Sequence, residues 1–214
     1  MKSKIVILLL FSLPIFSYTP GKWSYLDRFT LGEGKLISET FLNMKGEPDG
    51  EIIYTYENGK LKTEELFAPD KTSQEKKTFL YTQSGTLKEI NVVLGNGKGL
   101  LRHRIISIAN GFVSECETKW EEEGNQESFS TKKDPLDETI LIQEVFDEKK
   151  KSIGFIKYYH DAKGRLEKRE NLQGSSKRMQ VLTYDESGRL ISFSFHVKQD
   201  ENWVLLKTHY LGYK

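Results

Sequence analysis

Cys116 is the only cysteine in the 214-residue chain and therefore its only thiol nucleophile. It lies in Phe112-Val-Ser-Glu-Cys-Glu-Thr118, and flanking carboxylates raise a thiol pKa rather than lower it. That is the setting of a buried or idle thiol. The four histidines, His103, His160, His196 and His209, stand singly with no H-x-H or H-x-x-x-H pair, so their spacing supports no metal site. Carboxylates are plentiful but alternate with bases, as in Lys62-Thr-Glu64 and Glu167-Lys-Arg-Glu170, the pattern of charge pairing across solvated strands. There is no G-x-S-x-G elbow, and Gly95-Asn-Gly-Lys-Gly99 sits between two β-prone runs as a hairpin turn rather than a phosphate cradle. No catalytic residue, metal or cofactor is expected.

The residues left with chemistry to offer are aromatic. Tyr54, Tyr56, Tyr81, Tyr158 and Tyr184 recur at matching places along the chain. They form either a stabilising aromatic ladder or a surface on which sugar rings or a peptide could stack, and they are the candidate binding residues.

These tyrosines belong to a repeated unit, an aromatic residue followed a few positions later by Gly-x-Leu, clearest in Tyr184-Asp-Glu-Ser-Gly188-Arg-Leu190. The anchoring glycines, Gly34, Gly59, Gly85, Gly111, Gly164 and Gly188, recur about every 25 residues, with one gap of about two units between Gly111 and Gly164. A degenerate copy at Asp134-Pro135-Leu136 would fill the gap, with Leu136 in the leucine position. Asn58-Gly59 and Asn110-Gly111 suit the two left-handed positions of a type I′ hairpin turn. The turns ending at Gly85, Gly164 and Gly188 are one residue longer and suit a type I turn closed by a left-handed glycine. Between Asp134 and Asp147, Pro135 could open a helix, but Thr139-Ile-Leu-Ile142 and Val145-Phe146 favour a strand.

The expected fold is all-β, an antiparallel meander of about fifteen strands running from Trp23–Thr30 to Trp203–Tyr210 and built from hairpin repeats. Some strands have one apolar face, such as Ile191, Phe193, Phe195 and Val197. Others, Lys60–Phe67 and Arg165–Asn171, show charge on both faces. That mixture implies a sheet that is single-layered, or rolled so that only some strands line a core. It also argues against a transmembrane barrel, because a lipid-facing Lys or Arg near the midplane costs about 2 to 4 kcal/mol.

Leu182-Thr-Tyr-Asp-Glu-Ser-Gly-Arg-Leu190 closely resembles the YD repeat of the RHS family, and Tyr158-Tyr-His-Asp-Ala-Lys-Gly-Arg-Leu166 is near it. Gly50-Glu-Ile-Ile-Tyr-Thr-Tyr-Glu-Asn-Gly-Lys-Leu61 resembles the bacterial MORN-type repeat. Both families are strings of β-hairpins, and MORN-type arrays are mostly binding or scaffolding modules. The resemblance covers most of Leu31 to Val197, the stretch from Gly95 to Asp147 departs from either pattern, and the implication is architecture more than activity.

The first residues join a basic start, Met1-Lys-Ser-Lys4, to an apolar run through Phe16, which marks residues 1–17 as an export signal cut after Ser17. Residues 18–214 then form a single β-repeat domain without disulfides, located in the periplasm or outside the cell. With 32 basic and 31 acidic residues there is no field to draw nucleic acid, and no membrane insertion is expected after signal cleavage. The expectation is an exported, non-enzymatic module that binds or scaffolds a protein or glycan partner. The alternative is an enzyme or small-ligand carrier with its site inside a rolled sheet.

Overall fold

The leucine of each Gly-x-Leu enters a strand, and in most units the next residue is an extra one, opposite nothing on the neighbouring strand. In this computed structural model, which describes residues 35–109, 112–122, 124–173 and 177–214, the extra residues are Ile37, Lys62, Lys88, Ser114, Glu167 and Ile191. A β-bulge of this kind bends its strand and increases local twist. One bulge at the same place in unit after unit therefore curves the sheet steadily in one direction. The export signal, the strand expected over Trp23–Thr30 and the turn at Asn110-Gly111 lie outside the described residues.

The strands are β1 (Leu36–Asn43), β2 (Pro48–Glu57), β3 (Lys60–Phe67), β4 (Ser73–Tyr81), β5 (Leu87–Leu94), β6 (Gly99–Ala109) and β7 (Phe112–Trp120). They continue as β8 (Gln126–Lys133), β9 (Ile140–Phe146), β10 (Ser152–His160), β11 (Leu166–Asn171), β12 (Arg178–Tyr184), β13 (Leu190–Gln199) and β14 (Asn202–Tyr213). Each pairs antiparallel with the next, and β14 pairs with β1, so the described strands form a closed barrel. This corrects the expectation of about fifteen strands in a single-layered or rolled open sheet. The turns follow their expected chemistry: Asn58 and Gly59 have φ of 52° and 79°, and Gly85, Gly164 and Gly188 are left-handed at 88°, 76° and 85°.

Closure also explains the charges that made β3 and β11 read as polar on both faces. Glu64 and Arg169 point inward and are buried. Glu64 accepts a 2.7 Å bond from the Lys77 ammonium, and the Arg169 guanidinium donates to the Tyr158 hydroxyl and to Gln180 Oε1, each at 3.2 Å. Around them lies the buried cluster that includes Phe41, Ile52, Phe79, Ile90, Val92, Leu101, Val145, Ile156, Leu182 and Phe193. The outer face carries cross-strand ion pairs, Glu65 with Lys76 at 3.3 Å, Arg104 with Glu117 at 3.4 Å and Lys132 with Glu144 at 4.0 Å, beside exposed apolar side chains such as Leu80, Phe155, Ile191 and Leu205.

The repeats are joined by a bond that backbone pairing alone does not provide. The β1–β2 ladder ends at Ser38–Ile53, the β3–β4 ladder at Thr63–Thr78, β11–β12 at Lys168–Val181 and β13–β14 at Ser192–Tyr210, each short of the unit's leucine. A tyrosine hydroxyl from the next unit donates to that leucine's carbonyl: Tyr56 to Leu36 and Tyr81 to Leu61 at 2.8 Å, Tyr184 to Leu166 and Tyr213 to Leu190 at 2.7 Å. The residue between Gly and Leu covers the same ring. Lys35 lies over Tyr56 at 5.5 Å, Lys60 over Tyr81 at 5.4 Å, Arg165 over Tyr184 at 4.7 Å and Arg189 over Tyr213 at 5.4 Å.

The expected degenerate copy is displaced. Leu136 is 96% exposed, whereas Leu36, Leu87, Leu166 and Leu190 are buried. Residues 134–139 form a turn in which Asp134 and Asp137 carboxylates accept the Leu136 and Thr139 amides, and the strand begins at Ile140. There the Thr139 carbonyl takes the leucine's role, facing His160 Nδ1 at 2.9 Å. No register shift interrupts the β8–β9 pairing.

At the seam between β14 and β1, Tyr213 faces Leu36, and Lys35 and Lys214 exchange backbone bonds of 3.3 and 3.0 Å. The seam thus repeats between β14 and β1 the contacts that each unit makes within its hairpin. Joining residue 214 to residue 35 through a short Gly-containing linker and reopening the chain at the Gly164 turn should preserve the barrel, with an unchanged far-ultraviolet circular dichroism spectrum and a cooperative urea transition. Tyr81→Phe, which removes the hydroxyl from Leu61, should lower unfolding free energy by about 1 kcal/mol, read from the shift in urea midpoint.

Candidate functional site

The structure divides the candidate tyrosines between two places. Tyr54 and Tyr158 point into the barrel and are buried. The Tyr54 hydroxyl donates to Glu39 Oε1 at 2.6 Å, and that of Tyr158 to Gln143 Oε1 at 3.2 Å. Tyr56, Tyr81 and Tyr184 are half-buried at one rim, where their hydroxyls bond to leucine carbonyls and cations lie over their rings. Burial holds the Tyr81 phenol up at about 12, with Tyr56 adding to the effect. The five rings do not form one shared face; they are parts of the wall.

Inward-facing polar side chains form a belt, which includes Glu64 and Arg169 from the patterns expected to be solvated charge. Glu39 accepts from Tyr54 and stands 2.9 Å from His209 Nδ1, whose imidazole is stacked between Phe41 and Phe193 at centroid distances of 4.6 Å. His103 Nδ1 meets the Thr118 hydroxyl at 2.9 Å, and Gln143 donates to Thr131 at 3.2 Å. Cys116 is buried on the inner side of β7, opposite Ile105 and Phe129 rather than a histidine. His160 bonds in the β9–β10 region and His196 is partly exposed on β13, so the four histidines do not converge. Among the described residues no group of three or more His, Cys, Asp or Glu is arranged to hold a metal ion.

On β3 and β4 the belt contains a coupled charge cluster. The Lys77 ammonium lies 2.7 Å from Glu64 and 3.9 Å from Glu75, all three side chains being buried. Burial pushes the Glu75 carboxyl up to about 7; the Glu64 charge adds to this and Lys77 opposes it. Such a group gains or loses a proton near neutrality inside the wall.

The outer wall carries a depression of about 290 Å³ over β6–β9, in the stretch where the repeat departs from its own pattern. Its floor is Ser128 and Ser130 on β8, which face Glu117 and Glu115 on β7. Its rims are Ile106, Phe146 and Lys150. Ile106 is the extra residue of a further bulge between Ile105 and Ser107, and it is 46% exposed. Small serines between larger neighbours and an outward-turned isoleucine make the hollow. Its only sequence signal was the irregularity of the segment that contains it.

No protein-family model matches the chain, and no curated protein matches it. Among solved structures, a porin-like protein from Bacteroides uniformis is similar, with 9% identity over 84% of this chain and 96% of that one and a TM-score of 0.44. At that score the likeness carries no argument about activity or membrane insertion.

Glu75 gives the barrel a pH dependence of known sign. Its folded pKa lies above the ordinary 4.5, so its contribution to stability is complete below about pH 4.5 and is lost as pH rises through about 7. Glu75→Gln should remove that part of the slope, on the order of 3 kcal/mol between the two limits, measured by urea unfolding of both proteins from pH 4.5 to 8.5.

Proposed function

We propose that the chain is an exported, water-facing β-barrel built from YD- and MORN-like hairpins, acting as a non-enzymatic binding module in the bacterial envelope or outside the cell. The observation that carries this reading is the charge on the outer wall. Lys76, Arg104 and Lys157 lie mid-strand on β4, β6 and β10, on the outer side, and the first two pair with glutamates on neighbouring strands. In a lipid-embedded barrel each such cation near the midplane costs about 2 to 4 kcal/mol. The fully buried apolar residues, among them Ile90, Val145 and Ile156, face the interior, while exposed Leu80, Phe155, Ile191 and Leu205 share the outer wall with these charges. This distribution suits a wall that meets water and offers its outer hollow to a ligand or partner. The basic and apolar N-terminal sequence supports export.

Fractionation tests the reading. The protein should leave cells by osmotic shock or appear in the medium, purify as a monodisperse species without detergent, and leave the contents of lipid vesicles sealed. Recovery only from the outer-membrane pellet in detergent, together with leakage of loaded vesicles, would overturn it.

A further inference from the structure

We propose that the hollow over β7–β9 is a binding site for short zwitterionic peptides of dipeptide size, an inference that rests on the water-facing binding module proposed above and names its ligand class. Its volume, about 290 Å³, suits a ligand of a few residues at most. Opposite charges stand at its two ends. Glu115 is exposed and faces Ser130, and its carboxylate has no hydrogen bond or ion pair among the described residues. The Lys150 ammonium lies at the other end, 3.2 Å from Ser128 Oγ.

Ser128 and Ser130 are successive residues on one face of a strand, so they are about 7 Å apart. That separation matches the reach of two extended residues at about 3.3–3.6 Å each. The Glu115 carboxylate can accept the ligand's ammonium while Lys150 takes its carboxylate. The two serine hydroxyls can both donate to and accept from the peptide group between those ends. Glu117 does not compete for the ammonium, since Arg104 holds it at 3.4 Å.

Ile106 and Phe146, at opposite edges, give apolar surface to two side chains. Lys150 also occupies a left-handed backbone position, φ 61°, that glycine adopts at lower cost. A lysine there places a charge at the end of the hollow that a glycine could not. An acidic or basic ligand alone would satisfy only one end, whereas a zwitterion satisfies both.

Titration calorimetry of the purified protein with the dipeptide Leu-Phe, its N-acetyl form and its C-terminal amide tests the assignment. Saturable binding of Leu-Phe is expected, weakened at least tenfold by either cap. Glu115→Gln should abolish discrimination against the acetylated form, and Lys150→Met discrimination against the amide. Ser130→Trp, which fills the floor, should abolish binding while leaving the circular dichroism spectrum unchanged. Equal binding of the three ligands, no saturable binding at millimolar concentration, or point variants that bind like the parent would overturn the proposal. A water-soluble exported barrel that binds no dipeptide would fail this inference alone, because fractionation and vesicle leakage report separately on the water-facing wall.

Discussion

The leucine carbonyl at the end of four inter-unit ladders, at Leu36, Leu61, Leu166 and Leu190, is the group on which those junctions of the ring depend. Backbone pairing between neighbouring hairpins stops before it, because the bulge after the leucine shifts the register and the strands diverge toward the rim. A carbonyl left unpaired in a partly buried position costs about 1 to 3 kcal/mol. A tyrosine is long enough to reach it from the next unit, and its ring offers a face on which the lysine or arginine of the Gly-x-Leu can lie. The tyrosine, the cation, the glycine and the leucine are therefore one device: glycine makes the turn, leucine enters the core, and the other two bind the unit to its neighbour. The bend and the bond that tolerates it come from the same few residues.

The interior uses charge in a second way. A buried ion pair is weak evidence of stability, since desolvation offsets much of the attraction. Here the ion pair of Glu64 and Lys77 and the hydrogen-bonded pair of Arg169 and Gln180 each lie on adjacent strands at facing positions. A slip of one residue in β3 would turn Glu64 to the outside and leave the Lys77 ammonium in the core without that partner. In a meander of similar hairpins, where many registers bury comparable apolar area, such partners make the wrong registers costly. The rim clasps act along the same junctions, so both polar networks select one alignment.

Much of the local structure was legible in the residues. Asn58-Gly59 and the glycine-closed turns at Gly85, Gly164 and Gly188 adopt the backbone their chemistry requires, because a left-handed position is a local constraint. Closure was not legible. It depends on the position after each of the unit's leucines, or after Val113 in their place, occupied by Ile37, Lys62, Lys88, Ser114, Glu167 and Ile191, which share no side-chain character and so leave no pattern. Glu64 and Arg169 read as solvated because nothing in their own strands identifies the partners that pair with them in the interior. The tyrosines were recognisable as equivalent positions, yet whether a ring stacks on a ligand or ties down a carbonyl depends on the neighbouring unit. The hollow over β7–β9 was hidden more completely, since serines on a strand are unremarkable until their larger neighbours are in place.

The bond joining one hairpin to the next is made wholly between consecutive units, so no contact in the clasp refers to the number of units in the ring. Girth is then a matter of count. Duplicating or losing one clasped unit of about 25 residues adds or removes two strands and leaves each of the other clasped junctions its own tyrosine, cation and leucine. Since barrel diameter grows roughly in proportion to strand number, the bore of such proteins would change in steps of two strands. A lineage built on this unit could enlarge or shrink its interior by recombination between repeats without inventing a new joint.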